Sequence, residues 1–298
     1  GTRLIEGPRP HTAKSRPYEG VSAGPPASAA CIGVEVGVAA FAAAAAAGDG
    51  LPGAHVTVYV MNAGRWREEQ EWPLSRTRWT PWYLQPAGEL SPQSPPADAA
   101  PDTYVHDPDN PVPMRGGSSG IFAGGLDGGS EWTAGPRDQR GLDERDDVLR
   151  YTGAPLGEDT EVTGPVTVTL FASTSADDTD FVARLIDVYP DGRAIGVVDG
   201  IVRAKFRAGQ DAARPIVPGE IVEYVIDLWA TSWLFRAGHR IRVDIASSNY
   251  PNWEPNNGSL GINALVAPGD RRTATQRVHH DAAHPSRIVL PIIPLDPS

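Results

Sequence analysis

The chain has 298 residues, 26 Lys and Arg against 37 Asp and Glu, a formal net charge of -11 and a pI near 5.1. That balance, with no Lys/Arg run, excludes a nucleic-acid partner, because phosphate binding rests on clustered cations. The lone Cys31 excludes an intrachain disulfide and makes the cytoplasm the expected compartment, while the length is enough for one large β domain or two ordinary ones.

Residues 1 to 53 differ in texture from the rest. Thr2-Arg3-Leu4-Ile5 reads as a strand end, then Gly, Pro and Ser interrupt until an Ala-rich segment, Ala39 to Ala47, for which a short helix stopped by Gly48 and Gly50 is expected. The longest apolar run, Val36 to Ala47, falls short of the ~20 residues that span a bilayer. The first residues show neither the basic start nor the apolar core of a signal peptide. No membrane partner is expected.

The β signal begins at His55, with Val56, Val58 and Val60 on one face and Thr57 and Tyr59 on the other. Trp66, Trp72, Trp79, Trp82 and Tyr83 follow among Arg and Glu, then a Pro/Ser/Ala excursion from Ser91 to Pro101 and an irregular connection from Asp107 to Pro136. Beyond Val148 strands are expected over 166–174, 180–189, 194–206, 220–229, 239–248 and 286–293. The Tyr189-Pro190-Asp191-Gly192 segment supplies a turn. Repeated strands without intervening helices indicate a sandwich or jelly roll.

Gly116-Gly117-Ser118-Ser119-Gly120 has the letters of a Gly-x-Ser-x-Gly nucleophile elbow, which needs a buried strand before the serine and a helix after it. Pro111-Val112-Pro113 precedes it and another glycine-rich loop follows, so a loop is the expected reading. Gly20-Val21-Ser22-Ala23-Gly24 is a second match without an apolar strand, and Pro25-Pro26 follows it. His279, His280, Asp281 and His284 cluster within six residues, yet strand neighbours point to opposite faces, so no metal is expected there. Asp177, Asp178 and Asp180 fall short of a calcium loop and read as a solvated turn. Glu68, Glu69 and Glu71 beside Trp66 and Trp72 have no fixed separation that would make a glycosidase pair. Trp229, Trp233, Trp253 and Tyr250 are read as core and loop anchors. No cofactor is expected.

The stretch from Thr179-Asp180-Phe181-Val182-Ala183-Arg184 to Lys205-Phe206-Arg207 resembles the C-terminal jelly-roll domain of the CocE/NonD serine hydrolases, the X-prolyl dipeptidyl-peptidase and cocaine esterase family. The likeness continues through Asp107-Pro108-Asp109-Asn110-Pro111-Val112-Pro113, Asp138-Gln139-Arg140, Arg145-Asp146-Asp147-Val148-Leu149 and Leu234-Phe235-Arg236-Ala237-Gly238-His239-Arg240. It implies a mainly β chain: a galactose-binding-like jelly-roll sandwich over residues 51–298, preceded at 1–50 by a short C-terminal remnant of an α/β-hydrolase domain.

The same resemblance implies that His11, after Leu4-Ile5-Glu6-Gly7-Pro8, is the triad general base, although Arg9-Pro10 replaces the family's aromatic-led spacing. A loop histidine near a terminus is the other reading. The family's order of serine, acid, histidine places Ser22 wrongly and puts the nucleophile and acid before Gly1. The expected function is therefore the C-terminal part of a serine hydrolase acting on a small ester, amide or peptide through an acyl-serine intermediate, with this chain alone inactive. The alternative is a non-catalytic jelly-roll module that binds carbohydrate or another protein, favoured by an exposed shelf of Trp66, Trp72, Trp79 and Trp82.

Overall fold

The computed structural model describes residues 56–117, 135–209 and 212–294. His11, Ser22, Ser118, the helix expected over 39–47 and the expected boundary between residues 50 and 51 lie outside the described residues.

Alternating Val56, Val58 and Val60 form β1 (Val56–Val60), which pairs antiparallel with β2 (Arg65–Glu69) as a small sheet of its own. Asn62 and Gly64 adopt left-handed φ in the turn between them. The large sheet takes in β3 (Arg78–Gln85), β4 (Glu89–Ser91), β5 (Asp102–His106), β6 (Leu149–Gly153), β7 (Thr160–Thr174), β8 (Asp180–Val188) and β9 (Ala194–Arg203). It is completed by β10 (Val222–Phe235), β11 (Arg240–Ala246), β12 (Ala274–His279) and β13 (Arg287–Ile293). Its order is β5-β12-β7-β13-β3-β4-β6-β11-β8-β9, with β10 paired along β7. Among the described strands of this sheet only the β4–β6 pairing is parallel.

The fifteen residues of β7 hold the fold together by pairing with β10, β12 and β13. Inward residues Val166, Val168 and Leu170 of β7 and Tyr224, Ile226 and Leu228 of β10 join one core with Phe181, Leu185, Val243 and Ile245 of β8 and β11. Each large apolar side chain buried there contributes about 1.5–3 kcal/mol. The result is the mainly β sandwich expected of a jelly roll. Strands β9 and β10 close one side without pairing: a Cβ on Gly200 would lie 2.1 Å from the Asp227 carbonyl oxygen, so only glycine permits that approach.

Strand β8 is buried on both faces. Its second face is covered by the connection before β6, where Val112, Leu142 and Val148 form a second apolar cluster with Ala246 of β11. That cover matters for function, because it places charged side chains of β8 and β11 between two layers.

Three differences from the sequence expectation have physical causes. Strand β10 does not end at residue 229 but passes through a bulge between Asp227 and Ala230, where exposed Trp229 takes φ 64° and Asp227 Oδ1 accepts its N–H at 2.7 Å. Strand β3 contains Pro81, whose missing donor hides the strand pattern. Strand β12 faces inward with a polar residue, Gln276, which donates to Thr179 Oγ1 at 2.7 Å. No helix among the described residues is long and apolar enough to cross a membrane.

Candidate functional site

The layer between β8–β11 and its covering connection carries a chain of buried polar groups. Arg184 sits in the apolar run Phe181-Val182-Ala183-Arg184-Leu185-Ile186, and strand alternation sends it away from the main core. Its Nη2 donates to the Ser248 carbonyl (3.2 Å) and to Asn249 Oδ1 (3.0 Å), while Asn249 Nδ2 donates to Asp199 Oδ2 (2.8 Å). Burial pushes the Arg184 guanidinium below its ordinary range, opposed by the charges of Asp199 and Asp244. Beside it Arg242 grips Asp244 through Nε (2.6 Å) and Nη2 (2.9 Å) and also reaches Asp143 at 2.9 Å.

The connection is locked onto this layer by Gln139. Its Nε2 donates to the carbonyls of Arg115 (2.7 Å) and Arg137 (3.0 Å), and its backbone N–H donates to the Ala194 carbonyl at 2.7 Å. Gly196 lies beneath it, where a Cβ would lie 2.8 Å from Gln139 Nε2 and push the amide aside. The cavity at the centre has a volume of about 10 Å³, room for about one water. The arrangement therefore fastens one layer to the next. The Asp138-Gln139-Arg140 and Asp107 to Pro113 motifs both belong to this cover.

Histidines are the remaining candidates for acid–base chemistry. His239 Nδ1 lies 2.8 Å from Asp187 Oδ1, and Trp233 Nε1 donates to Asp187 Oδ2 at 2.9 Å. Burial raises the Asp187 pKa. His280 Nε2 lies 3.0 Å from Asp102 Oδ2, which also accepts the Tyr151 hydroxyl at 2.8 Å. Among the described residues neither imidazole–carboxylate pair has a serine or cysteine as a hydrogen-bond partner. Ser173 Oγ lies 3.3 Å from His279 Nε2, but Ser173 is buried within β7 and burial lowers the His279 pKa. Residues 111–117, ahead of Ser118, form isolated bridges and no strand, so the support an elbow needs is not built there.

The histidine cluster splits as alternation requires. The His279 and His284 rings approach to 5.7 Å while His280 turns to Asp102. Among the described residues no group of three or more His, Cys, Asp or Glu is placed to hold a metal.

The aspartates correct the solvated-turn expectation. Asp178 and Asp180 are buried, paired respectively with Lys205 Nζ (3.2 Å) and Arg203 Nε (2.8 Å), and Asn256 Nδ2 bridges them at 2.9 and 3.0 Å. Asp177 alone stays at the surface, 3.7 Å from Arg272.

A surface cavity of about 530 Å³ lies beside Trp66, Glu68 and Glu69. Glu69 is bound by Arg67 and Arg76, and Glu161 accepts both Arg67 Nη1 (2.8 Å) and Nη2 (2.7 Å). Glu69 and Glu161 are committed to ion pairs and do not form the free pair that glycoside hydrolysis requires. Trp66 and Trp79 are exposed whereas Trp82 packs against the core, so the four-ring shelf is not formed.

Residues 52–289 match the family described as the X-Pro dipeptidyl-peptidase C-terminal non-catalytic domain. The chain belongs to that family. The chain is 44% identical over 247 residues to cocaine esterase of Rhodococcus sp. (strain MB1 Bresler), covering 80% of this chain and 42% of that protein. It is 33% identical to a putative serine esterase of Mycobacterium bovis, covering 80% of this chain and 37% of that protein. Among solved structures, an aminopeptidase from the marine sediment archaeon Thaumarchaeota archaeon superposes with a TM-score of 0.73 at 34% identity, over 80% of this chain and 40% of that one. An α-amino acid ester hydrolase gives 0.72 at 33% identity, over 79% and 40%. The chain thus spans about two fifths of the relatives it matches, and the non-catalytic domain is shared with hydrolases and esterases of the CocE/NonD type.

Proposed function

We propose that this chain serves as the C-terminal part of a serine hydrolase, with residues 51–298 as its jelly-roll domain and residues 1–50 as the end of its α/β-hydrolase domain. The match over residues 52–289 to a domain described as non-catalytic carries this reading. The interior supports it: the described imidazole–carboxylate pairs are tied into strand packing, and the buried polar layer has room for about one water.

In the complete enzyme, a serine supplied outside this chain attacks a small ester, amide or peptide carbonyl and forms an acyl-serine intermediate that water then releases. His11 takes the serine proton and returns it to the leaving group, held in orientation by an acid that also lies outside this chain. The jelly roll packs on the hydrolase domain. Residence in the cytoplasm belongs to the same proposal.

A chimera tests the packing role. With residues 52–289 replacing the matched segment of the Rhodococcus cocaine esterase, ester hydrolysis should persist. A folded but inactive chimera would count against a shared domain role.

A further inference from the structure

We propose that the cleft between residues 108–111 and 250–263 is a saccharide-binding site. Its volume is about 390 Å³, within the ~300–1,000 Å³ of small-molecule sites. Pro108, Pro111 and Pro255 give it apolar walls, and half-exposed Tyr250 adds an aromatic residue of the type on which sugars stack.

The polar lining suits hydroxyls, which donate and accept at once. Asp109 and exposed Glu254 present acceptors. Asn257 lines the same cavity as a buried side chain whose Nδ2 has no acceptor within the described residues. Arg271 Nη1 is held by Asp109 Oδ1 at 2.7 Å, so the cation of this lining is neutralised and an anion gains little.

The cleft is also preorganised, which lowers the ordering cost of binding. Tyr250 is fixed by two backbone bonds, its N–H to the Val112 carbonyl (2.9 Å) and its carbonyl to the Met114 N–H (2.7 Å). Beneath the loop, the Asn256 carbonyl lies 3.0 Å from His106 Nε2, and Lys205 Nζ donates to the Gly261 carbonyl at 3.1 Å. Asn263 Nδ2 donates to the Pro255 carbonyl at 3.0 Å, closing the loop on itself. A surface loop held by these hydrogen bonds presents fixed groups to a ligand. The site stands apart from the hydrolase reading and survives its failure.

The test is an amide-resolved NMR titration of the intact 298-residue chain with galactose, glucose, maltose and cellobiose at millimolar concentrations, with tetramethylammonium as a control. Saturable shifts confined to residues 108–111 and 250–271, weakened about tenfold or more in Tyr250→Ala with an unchanged melting temperature, are expected. Should Tyr250→Ala fail to fold, Asp109→Ala, at an exposed position, gives the same reading with a weakening of about threefold or more. Absence of saturation by every saccharide, shifts elsewhere, saturation by tetramethylammonium alone, or affinity indifferent to the substitution would overturn the site.

Discussion

Lys205 Nζ lies 3.2 Å from Asp178 Oδ2, with 8% and 0% of the two side chains exposed. The same ammonium reaches the carbonyls of Leu260 (3.4 Å) and Gly261 (3.1 Å), so one buried cation joins the β7–β8 turn to the loop after β11. Lys205→Met leaves Asp178 buried without its countercharge. Breaking such a pair costs about 3–5 kcal/mol, and urea denaturation should show a loss of that order. A loss under about 1 kcal/mol would mean that the pair behaves as a solvated one.

The approach of β9 to β10 rests on Gly200. A Cβ there meets the Asp227 carbonyl oxygen at 2.1 Å and Leu228 Cα at 3.1 Å, both backbone atoms that cannot rotate away. Gly200→Ala should lower stability by about 1–3 kcal/mol through overpacking. An unchanged melting temperature would show that the two strands are free to separate.

Trp229 presents the opposite case. Its φ of 64° is a left-handed conformation, and its side chain is 69% exposed. Glycine adopts that conformation without the Cβ penalty. Trp229→Gly should leave the fold intact and raise stability by up to about 1 kcal/mol. A fall of more than that amount in the isolated chain would assign the indole a packing role.

Acid sensitivity follows from Glu69. Burial alone raises its pKa, but hydrogen bonds from Arg76 and Arg67 and their charges reverse that and hold it below the ordinary value of 4.5. The folded state then binds fewer protons than the unfolded state near that value. The stability gained is full above about pH 4.5 and is lost as pH falls through the folded pKa. Glu69→Gln should flatten the acid limb of the stability–pH curve. An identical limb in the variant would remove Glu69 from the account.

Much of the fold is legible in the chain because alternation survives where one face is wet. Val56, Val58 and Val60 of β1 and Val166, Val168 and Leu170 of β7 declare their strands directly. Strand β3 is hidden by Pro81, and β12 by the inward Gln276. The buried polar layer is harder still. Arg184 lies in the apolar run of β8 and Asp244 in β11, and a local pattern does not tell which charge is paired from across the sandwich. Asp178 and Asp180 read as solvent-facing for the same reason, since their partners Lys205 and Arg203 lie more than twenty residues away. The family likeness, carried by Asp107 to Pro113 and Leu234 to Arg240, is what linked the chain to hydrolases.

In the proposed function the reacting serine lies outside this chain. Labelling the 298-residue protein with a fluorophosphonate serine probe, followed by peptide mapping, tests it most directly. No adduct is expected, and with it no ester turnover by the isolated chain. An adduct on Ser22 or Ser118, or turnover lost in His11→Ala, would contradict the account and require a triad built within these residues.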